Sequence, residues 1–344
     1  MSVFLVEYRY RVHNPCTMYT ATKPMTFADF SLRKKKVTRT ESFLEKVNQI
    51  VDFRFAGKLH KRLHRTDRGR KPFETVVMFK IILLQQWFGL SDAEAEELTY
   101  DRQSFQKFVG ISADTDIPDE TTICRFRKAL IEHEMDGTFF REVEKQMRQH
   151  GVEVTSGKIV DATISEVPKG RKKDDGSSTR DEEASFTKKN GRTYHGYKGH
   201  MSTDTKGKFI QACYTSTAKD HDSKHTDQVL DGTEESFFGD SAYISKERKK
   251  RMRKEGKLYA VIERAVRGNP LSSSQKKRNR KLSSVRCRGE HPFAEIKKRM
   301  KFRLRYCGLR KTSWQFTMVS ASYNLKRLIG QICPAQKQAL VWCT

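Results

Sequence analysis

The spacing of apolar residues changes near Gly151, and this change constrains the fold more than any other feature of the 344-residue sequence. From Thr26 to about Gln149, apolar residues recur at every third or fourth position, which is typical of amphipathic helices. After Gly151, segments such as KIVDATIS and KFIQACYTS alternate apolar and polar residues, which is typical of strands. The sequence therefore predicts an all-helical region followed by a region built around strands.

Capping residues mark the ends of the predicted helices. Ser91 precedes an acidic turn and Asp119 precedes TTICRFRK, so both are expected to cap helix N-termini. Gly89 and Gly110 are expected to end helices, because glycine readily adopts the backbone conformation that follows a last helical turn. This pattern of helix starts and ends predicts short helices packed against one another.

One predicted helix, from Asp119 to about Glu134, combines apolar residues with basic ones. It would project Arg125, Arg127 and Lys128, the residue types expected of a helix that lies against or within a DNA groove. Amphipathic helices with a basic face are common, so the pattern alone is a weak indication. The helix is a candidate DNA contact.

Three strand-like segments follow Gly151, and turn residues at Asp204 to Gly207 join the second and the third. This order predicts an antiparallel meander. A polar stretch at residues 167–192 separates the first two strands and is expected to be a mobile loop or an insertion near the active edge. Further along, AKDHDSKHTDQVL is a predicted helix and ESFFGDSAYIS a predicted fourth strand.

Acidic residues stand where two of these strands end and where a later helix begins. Asp161 and Asp240 each stop an apolar run, and Glu290 lies near the start of the basic segment VRCRGEHPFAEIKKRMKFR. A buried carboxylate costs free energy unless a cation compensates it. Each acid alone is best explained by a lysine or arginine partner, but three such acids in order favour a shared metal site.

The residue types of this set also indicate which metal it would hold. Two aspartates and a glutamate, without a histidine or cysteine cluster nearby, suit Mg²⁺ or Mn²⁺ better than Zn²⁺. Two such ions, roughly 3.5 to 4 Å apart, can serve the attacking and leaving oxygens of a phosphodiester. Two histidine pairs have ligand-like spacing, but hydrogen-bonded or DNA-facing histidines are the favoured interpretation over zinc. The pairs are His195 with His200 and His221 with His225.

The charge of the chain points to a polyanionic partner. The formal net charge is +26, and residues 246–281 alone hold fifteen lysines and arginines against three glutamates. That segment is either a solvated loop or, as its place before Glu290 favours, a contact for the DNA backbone. The longest apolar stretch, Val76 to Leu84, is interrupted by Lys80 and is too short to cross a bilayer. Nucleic acid is therefore expected, and a membrane is not.

Cysteine usage and the first residues indicate the compartment. The seven cysteines include no CxxC pair, which favours reduced thiols in a cytoplasmic protein, and the N-terminus shows no signal-peptide pattern. Trp87, Phe88, Trp314 and Phe316 lie in apolar helical patterns and are expected in the core.

Several blocks of the sequence resemble the DDE transposases of bacterial insertion sequences, most closely the insertion-sequence-five family. Arg286, Glu290 and Lys297 stand at the spacing of that family's Y-R-E-K signature, Ser283 takes the place of its tyrosine, and the run continues into FRLRYCGL. The blocks IVDATI, RTYHGYKGHMSTD, HDSKH and FFGDSAY are similar too, as is KPFETVVMFKIILLQQWFGLSDAEAEEL in the helical half. The resemblance spans about residues 26–329.

This resemblance implies an α/β RNase H-like catalytic domain, with a mixed sheet flanked by helices, preceded by an all-α DNA-binding domain. It implies that Asp161 on the first strand, Asp240 after the fourth and Glu290 on a following helix are catalytic and hold two Mg²⁺ or Mn²⁺ ions. Metal-dependent cleavage would release 3′-OH ends that attack target DNA in line, without a nucleotide cofactor. The implied partners are the terminal inverted repeats, target DNA and a second copy in a synaptic homodimer. The implied location is the bacterial, nucleoid-associated cytoplasm.

Further residues are expected to contact DNA. Lys297 lies seven residues, or two helical turns, after Glu290, so both side chains are expected on one helix face with Arg286 nearby. Glu295 is an alternative third acid, but it lies about 140° round a helix from Glu290. Candidate contacts to DNA beyond this helix are Tyr197, Lys198, Arg303 and Arg305. For Tyr197 and Lys198, packing on a strand face is the favoured interpretation.

The expected organisation is an N-terminal arm at 1–24, a helical DNA-end-binding domain at 25–150, a catalytic domain at 151–330 with its insertion at 167–192, and a tail at 331–344.

Two other functions stay open. An RNase H-like nuclease would keep the acids without joining ends, and a silent DNA-binding descendant of a transposase would bind without cleaving.

Overall fold

A computed structural model describes residues 37–59, 63, 71–112, 115–152, 157–168, 170, 171, 174 and 178–333. The predicted arm at 1–24 and nearly all of the predicted tail at 331–344 lie outside this range. Described residues from Arg39 onward belong to one compact unit.

Helices alone make up the first part of this unit, as the apolar spacing predicts. Ser91 and Glu94 form a reciprocal capping box, and the Asp119 side chain accepts a hydrogen bond from the Thr122 N–H. Gly89 and Gly110 follow helices with φ of +67° and +90°, so the predicted helix ends are confirmed. The helices are α1 (Arg39–Ile50), α2 (Arg54–Lys58), α3 (Thr75–Phe88), α4 (Asp92–Asp101), α5 (Gln103–Val109), α6 (Glu120–Glu132) and α7 (Met135–Gln149).

A mixed sheet follows, flanked by helices. The predicted meander is confirmed, because β3 pairs antiparallel with both β1 and β4, whereas β5 and β6 run parallel to β1. Along the sheet the order is β2, β3, β1, β5, β6, with β4 also on β3. The strands are β1 (Gly157–Glu166), β2 (Ser185–Lys189), β3 (Arg192–Asp204), β4 (Ile210–Thr217), β5 (Ser236–Gly239) and β6 (Leu258–Val261).

Two predicted elements differ from the structure. The last part of the polar insertion is not a loop, since β2 forms a hairpin with β3 through Asn190 and Gly191, both with positive φ. The predicted helix at AKDHDSKHTDQVL is only a 3₁₀ turn, Asp222–Gln228. There the Thr217 hydroxyl bonds the Asp220 carboxylate and the His221 ring accepts from the Ser223 N–H, and such local side-chain bonds compete with an α-helix.

The basic segment after β5 contains two helices and the strand β6. Ser245 caps α8, and a capping box between Ser272 and Gln275 begins α9. The loop interpretation of residues 246–281 is therefore wrong. The elements are α8 (Lys246–Lys254), α9 (Ser273–Arg286), a 3₁₀ turn (Cys287–Gly289), α10 (Glu290–Ala294), a π-helical turn (Glu295–Arg299) and α11 (Leu309–Ile332).

Helix α11 joins the helical region to the sheet through a shared core. Trp314 and Phe316 are buried, and the ring of Phe316 lies against Gly199 of β3. On the helical side, the buried indole of Trp87 donates to the Ser322 carbonyl over 2.9 Å. These core predictions are confirmed, while Phe88 is only partly buried. Each such buried aromatic stabilises the fold by about 1.5 to 3 kcal/mol.

None of the helices in the described ranges is by itself long and apolar enough to span a membrane. The consecutive helices α3 and α4 together meet that test of length and composition, but a bend of 103° separates them.

Candidate active site

The first two predicted acids lie on neighbouring parallel strands. The β1–β5 ladder runs from Gly157 opposite Ser236 to Ile159 opposite Phe238. Asp161 and Asp240 each follow two residues after that last pair, at the same level of the sheet. Because adjacent strands are about 4.7 to 4.9 Å apart, this register brings the two carboxylates together. The carboxyl ends of parallel strands are also the usual ligand-binding edge of an α/β sheet.

A glycine brings the third acid to this edge. Gly289 precedes Glu290 and packs on β1, where an added Cβ would lie 2.6 Å from Cγ2 of Ile159. Only a residue without a side chain allows the helix to approach β1 this closely. Glu290 is therefore held beside the strand that carries Asp161.

Arg286 bridges two of the acids. Its Nη2 donates to Oε1 of Glu290 over 2.8 Å, and its Nη1 lies 3.8 Å from Oδ2 of Asp161. The longer distance makes the contact with Asp161 an ion pair without a hydrogen bond. Arg286 therefore compensates Glu290 better than Asp161.

The electrostatics of Asp161 follow from this incomplete pairing. Burial raises the pKa of the Asp161 carboxyl to about 6, and the charges of Asp240 and Glu290 add to this rise. A hydrogen bond from the Ala162 N–H and the charge of Arg286 act in the opposite direction. The site therefore carries a buried negative charge that a further cation would stabilise, and such perturbed groups are typical of functional sites.

The donor set fits Mg²⁺ or Mn²⁺ in chemistry, because all three acids offer hard carboxylate oxygens. Their geometry in this conformation is not that of a finished metal site. Within the described ranges, no group of three His, Cys, Asp or Glu side chains is close enough to hold an ion. The Arg286 guanidinium occupies the space between Asp161 and Glu290, so Glu290 must leave Arg286 before the acids can share a cation.

Two other residues of the same helical run lie apart from this set. Glu295 pairs with Lys326 of α11 over 2.9 Å and with Arg299 over 3.3 Å, on the side that faces α11. Lys297 donates to the Ile164 carbonyl of β1 over 3.0 Å. The geometry thus separates Glu295 from Asp161. Lys297 stays beside β1, the strand that carries Asp161.

Comparison with known families supports the same region. Residues 31–129 match the model of a family described as Transposase domain (DUF772), and residues 153–325 match that of the Transposase DDE domain. The second match spans half of the chain and includes all three acids. The chain belongs to the DDE transposase family. No solved structure gives a significant match to this transposase.

The predicted DNA contacts of the transposase divide into buried and exposed residues. Arg127 is buried on α6, where it makes two hydrogen bonds of 2.5 and 2.6 Å to Asp92 and lies over the ring of Tyr306. Its prediction as a DNA contact is therefore corrected, because this pair fixes it inside the fold. Arg125 and Lys128 of the same helix are exposed, and Lys128 makes only a 3.8 Å pair with Glu132.

The strand β3 gives a similar correction. Tyr197 is fully buried and its hydroxyl donates to Asp181 over 2.8 Å. Lys198 is mostly buried, donates to the Asp220 carbonyl over 2.6 Å and pairs with Asp222 over 2.8 Å. Neither side chain is free to contact a DNA base in this conformation, because both are used inside the protein.

The two arginines of FRLRYCGL also differ. Arg305 is partly buried and donates to the Gly89 carbonyl over 2.5 Å, so its guanidinium ties the chain after the π-turn to the end of α3. A DNA contact of Arg305 stays a prediction. Arg303 is exposed, and its backbone carbonyl accepts a bond from Gln315.

Sequence reasoning missed a buried tyrosine beside the acids. Tyr243 is 1% exposed, and its hydroxyl makes no hydrogen bond to another described residue. Burial raises the pKa of Tyr243, and the charges of Asp161, Asp222 and Asp240 add to this effect, so the hydroxyl stays protonated. The signal in the sequence is its position three residues after Asp240, within the block FFGDSAY.

The predicted histidine pairs do not form a three-ligand site within the described ranges. His200 is fully buried and lies 2.8 Å from the Ser216 hydroxyl, and burial lowers its pKa to about 4. His195 packs on the ring of Phe186, and His221 lies 2.8 Å from the Ser223 hydroxyl. The favoured interpretation of hydrogen-bonded histidines fits these contacts better than zinc does.

Proposed function

We propose that this transposase binds the terminal inverted repeats of an insertion sequence of the insertion-sequence-five family, cleaves the DNA ends and joins the 3′-OH ends to target DNA. The observation that carries the proposal is that Asp161 and Asp240 stand at the same level of neighbouring parallel strands, with Glu290 linked to Asp161 through Arg286. A partly buried carboxylate with incomplete compensation costs free energy, and such groups are typical of functional sites.

The strand order supports an RNase H-like catalytic domain. An antiparallel meander of β1, β3 and β4, extended past β1 by the parallel strands β5 and β6, places Asp161 on the first strand. Asp240 then follows β5, the parallel neighbour of β1, as the resemblance implies. Glu290 lies on a helix packed against β1, also as implied.

The roles of the chain's own residues follow from their positions. Asp161, Asp240 and Glu290 would hold Mg²⁺ or Mn²⁺, which when bound stabilises charge that develops on phosphate oxygens. Arg286, once separated from Glu290, and Lys297 would position the phosphodiester at this edge by their positive charge. The buried hydroxyl of Tyr243 would donate a hydrogen bond toward the acids.

DNA ends are proposed to bind the helical half through exposed cations such as Arg125 and Lys128 of α6. Arg303 is a further exposed candidate. The synapsis of two ends requires two copies of the catalytic site, so we propose a homodimer as the working form. The chemistry uses the phosphodiester itself as the reacting group, and no nucleotide cofactor is needed.

The test uses purified full-length protein, Mg²⁺ or Mn²⁺ and a DNA fragment that carries the gene with its flanks. New 3′ ends and joined products are mapped by sequencing. Discrete cuts at inverted repeats, with joined products, are expected for the wild type and neither is expected for Asp161→Ala or Asp240→Asn. Lys145→Gln, which removes an exposed charge on α7, is the matched control and should keep full activity.

Two outcomes would contradict the proposal in different ways. Cleavage without any joined product would identify a nuclease that only hydrolyses. Binding without metal-dependent cleavage would identify a silent DNA-binding protein and would make the three acids relics.

A further inference from the structure

A cationic cleft lies on the other side of the helical run that begins with Glu290. It is a cavity of about 660 Å³ between residues 291–299 and the last turns of α11. Its charged and titratable lining residues are His291, Glu295, Lys298, Arg299, Lys326 and Arg327. Nothing in the chemistry proposed for the acids uses this cleft.

The charges of the cleft are strongly unbalanced. Glu295 is the one acid in its lining, and it already pairs with Arg299 and Lys326. Lys298 is exposed and makes no ion pair with any described residue. Four permanent cations therefore face a single carboxylate, which leaves a net positive potential for an anionic partner.

A π-helical turn carries three of the lining residues, Glu295, Lys298 and Arg299. The Met300 N–H donates to the Glu295 carbonyl over 3.0 Å, five residues earlier, so the helix widens by one residue. Within this turn, Lys297 reaches the β1 carbonyl of Ile164, whereas Lys298 and Arg299 line the cleft. Single π-turns are frequent at functional sites.

The floor of the cleft is held firmly. The Tyr323 hydroxyl donates to the Lys208 carbonyl over 2.9 Å, and Arg327 donates to the Gly207 carbonyl and lies over the ring of Phe209. These contacts fix α11 to the loop after β3. The cations on α11 are thus presented by a rigid wall and need little ordering when an anion binds.

We propose that this cleft binds the phosphodiester backbone of DNA outside the active site. The proposal rests on the function proposed above. The four cations of the cleft can give the charge-assisted hydrogen bonds that phosphate oxygens accept. The lining has no large exposed apolar side chain, so a hydrophobic peptide would be a poor occupant.

The experiment measures how salt weakens DNA binding. A fluorescein-labelled duplex of arbitrary sequence is titrated with full-length protein between about 50 and 200 mM salt, without divalent cations. Each phosphate that the protein neutralises adds about 0.9 to the slope of log affinity against log salt. The double variant Lys298→Gln, Arg299→Gln should lower the slope by up to about 1.8. Between 50 and 200 mM salt, the loss of affinity should become about threefold smaller for each phosphate-binding cation that is removed.

Two further variants make the test specific. Lys145→Gln removes one exposed positive charge from α7, outside the cleft, and should leave the slope unchanged. Glu295→Gln removes the acid that restrains Arg299 and Lys326, so binding should become tighter and its slope steeper. The unchanged slope expected of Lys145→Gln distinguishes a phosphate site in the cleft from a general loss of positive charge.

The outcomes separate this proposal from the one on which it rests. DNA binding by every variant with an unchanged slope would overturn the cleft and leave the transposase function intact. No binding of duplex by the wild type would overturn both. A change in self-association by sedimentation, without a change in slope, would assign the cleft to contact with an acidic surface of a second copy and would overturn the proposal.

Discussion

Two partly buried aspartate–arginine pairs, one in each half of the molecule, have opposite electrostatics. In the helical half, Asp92 accepts two hydrogen bonds of 2.5 and 2.6 Å from Arg127 and a third from Gln85. Burial acts to raise the pKa of Asp92, but these hydrogen bonds outweigh it and lower the pKa below its usual value. At the sheet edge, Arg286 stays 3.8 Å from Asp161, and the pKa of Asp161 rises to about 6.

This contrast distinguishes a structural charge from a functional one. Both acids lose water on folding, but only Asp92 receives full compensation in return. Asp161 shares its arginine with Glu290 and has Asp240 beside it, so its charge is left for an external cation. Incomplete pairing of a desolvated charge is typical of functional sites, whereas complete pairing is typical of structural charges.

The largest expected effect comes from breaking the complete pair. Arg127→Ala leaves Asp92 buried without its partner, which should lower the free energy of unfolding by about 3 to 5 kcal/mol. Denaturant unfolding measures the loss. The exposed neighbour Lys128→Ala is the control and should cost less than about 1 kcal/mol. Unchanged stability of Arg127→Ala together with weaker DNA binding would restore Arg127 as a DNA contact.

Removing the charge of Asp161, in the incomplete pair, should raise stability instead of lowering it. The folded-state pKa of Asp161, about 6, exceeds its usual 3.8, so the folded chain holds a proton between these values that the unfolded chain has lost. Stability therefore falls as pH rises through this window and stays low above it. Asp161→Asn should stabilise the metal-free protein by up to about 3 kcal/mol near pH 7.5 and have little effect near pH 3.5.

Thermal unfolding across pH, with and without the substitution, measures this effect. Asp92→Asn is the matched comparison and should destabilise at neutral pH, since it weakens a satisfied pair. A loss of stability for Asp161→Asn at neutral pH would show that Arg286 compensates Asp161 fully.

Divalent cations should act on only one of the two pairs. Mg²⁺ or Mn²⁺ should raise the stability of the wild type by about 2.7 kcal/mol at one hundred times its Kd. The increment should disappear in Asp161→Asn and persist in Arg127→Ala. Scanning calorimetry with EDTA as the reference state measures it, and an equal increment in all three proteins would place the ion elsewhere.

The smallest expected effect tests how the third acid reaches the incomplete pair. Gly289→Ala places a methyl group against Ile159, which should cost about 1 to 3 kcal/mol and move Glu290 from β1. DNA cleavage should fall more than stability does. Gly137→Ala, on helix α7 with no contact closer than 3.5 Å, is the control and should be neutral or stabilise by up to about 1 kcal/mol. Normal cleavage by Gly289→Ala would separate Glu290 from the site.

Local sequence rules predicted much of the fold correctly. Capping residues located the starts of α4 and α6, and period-two spacing found the strands β1, β3 and β4. The same rules failed at Asp222–Gln228, where side chains bond to the nearby backbone, and at β2, whose polar residues pair with β3 without an apolar face to signal it. The charge count of residues 246–281 predicted basic character but not the two helices and the strand that carry it.

Neighbours along the chain set the helix caps and the strand alternation, so the amino-acid sequence was enough to predict them. The expected end of the first strand at Asp161 is wrong, because β1 continues to Glu166 through its pairing with β3. Tertiary packing was needed to show which charges are satisfied. Arg127 and Lys128 are adjacent in sequence, yet Arg127 is buried against Asp92, thirty-five residues away, and Lys128 faces solvent. The cleft beyond Glu290 likewise exists only because α11 packs beside the π-turn. Pairing and burial depend on segments distant in sequence, and no local pattern specifies them.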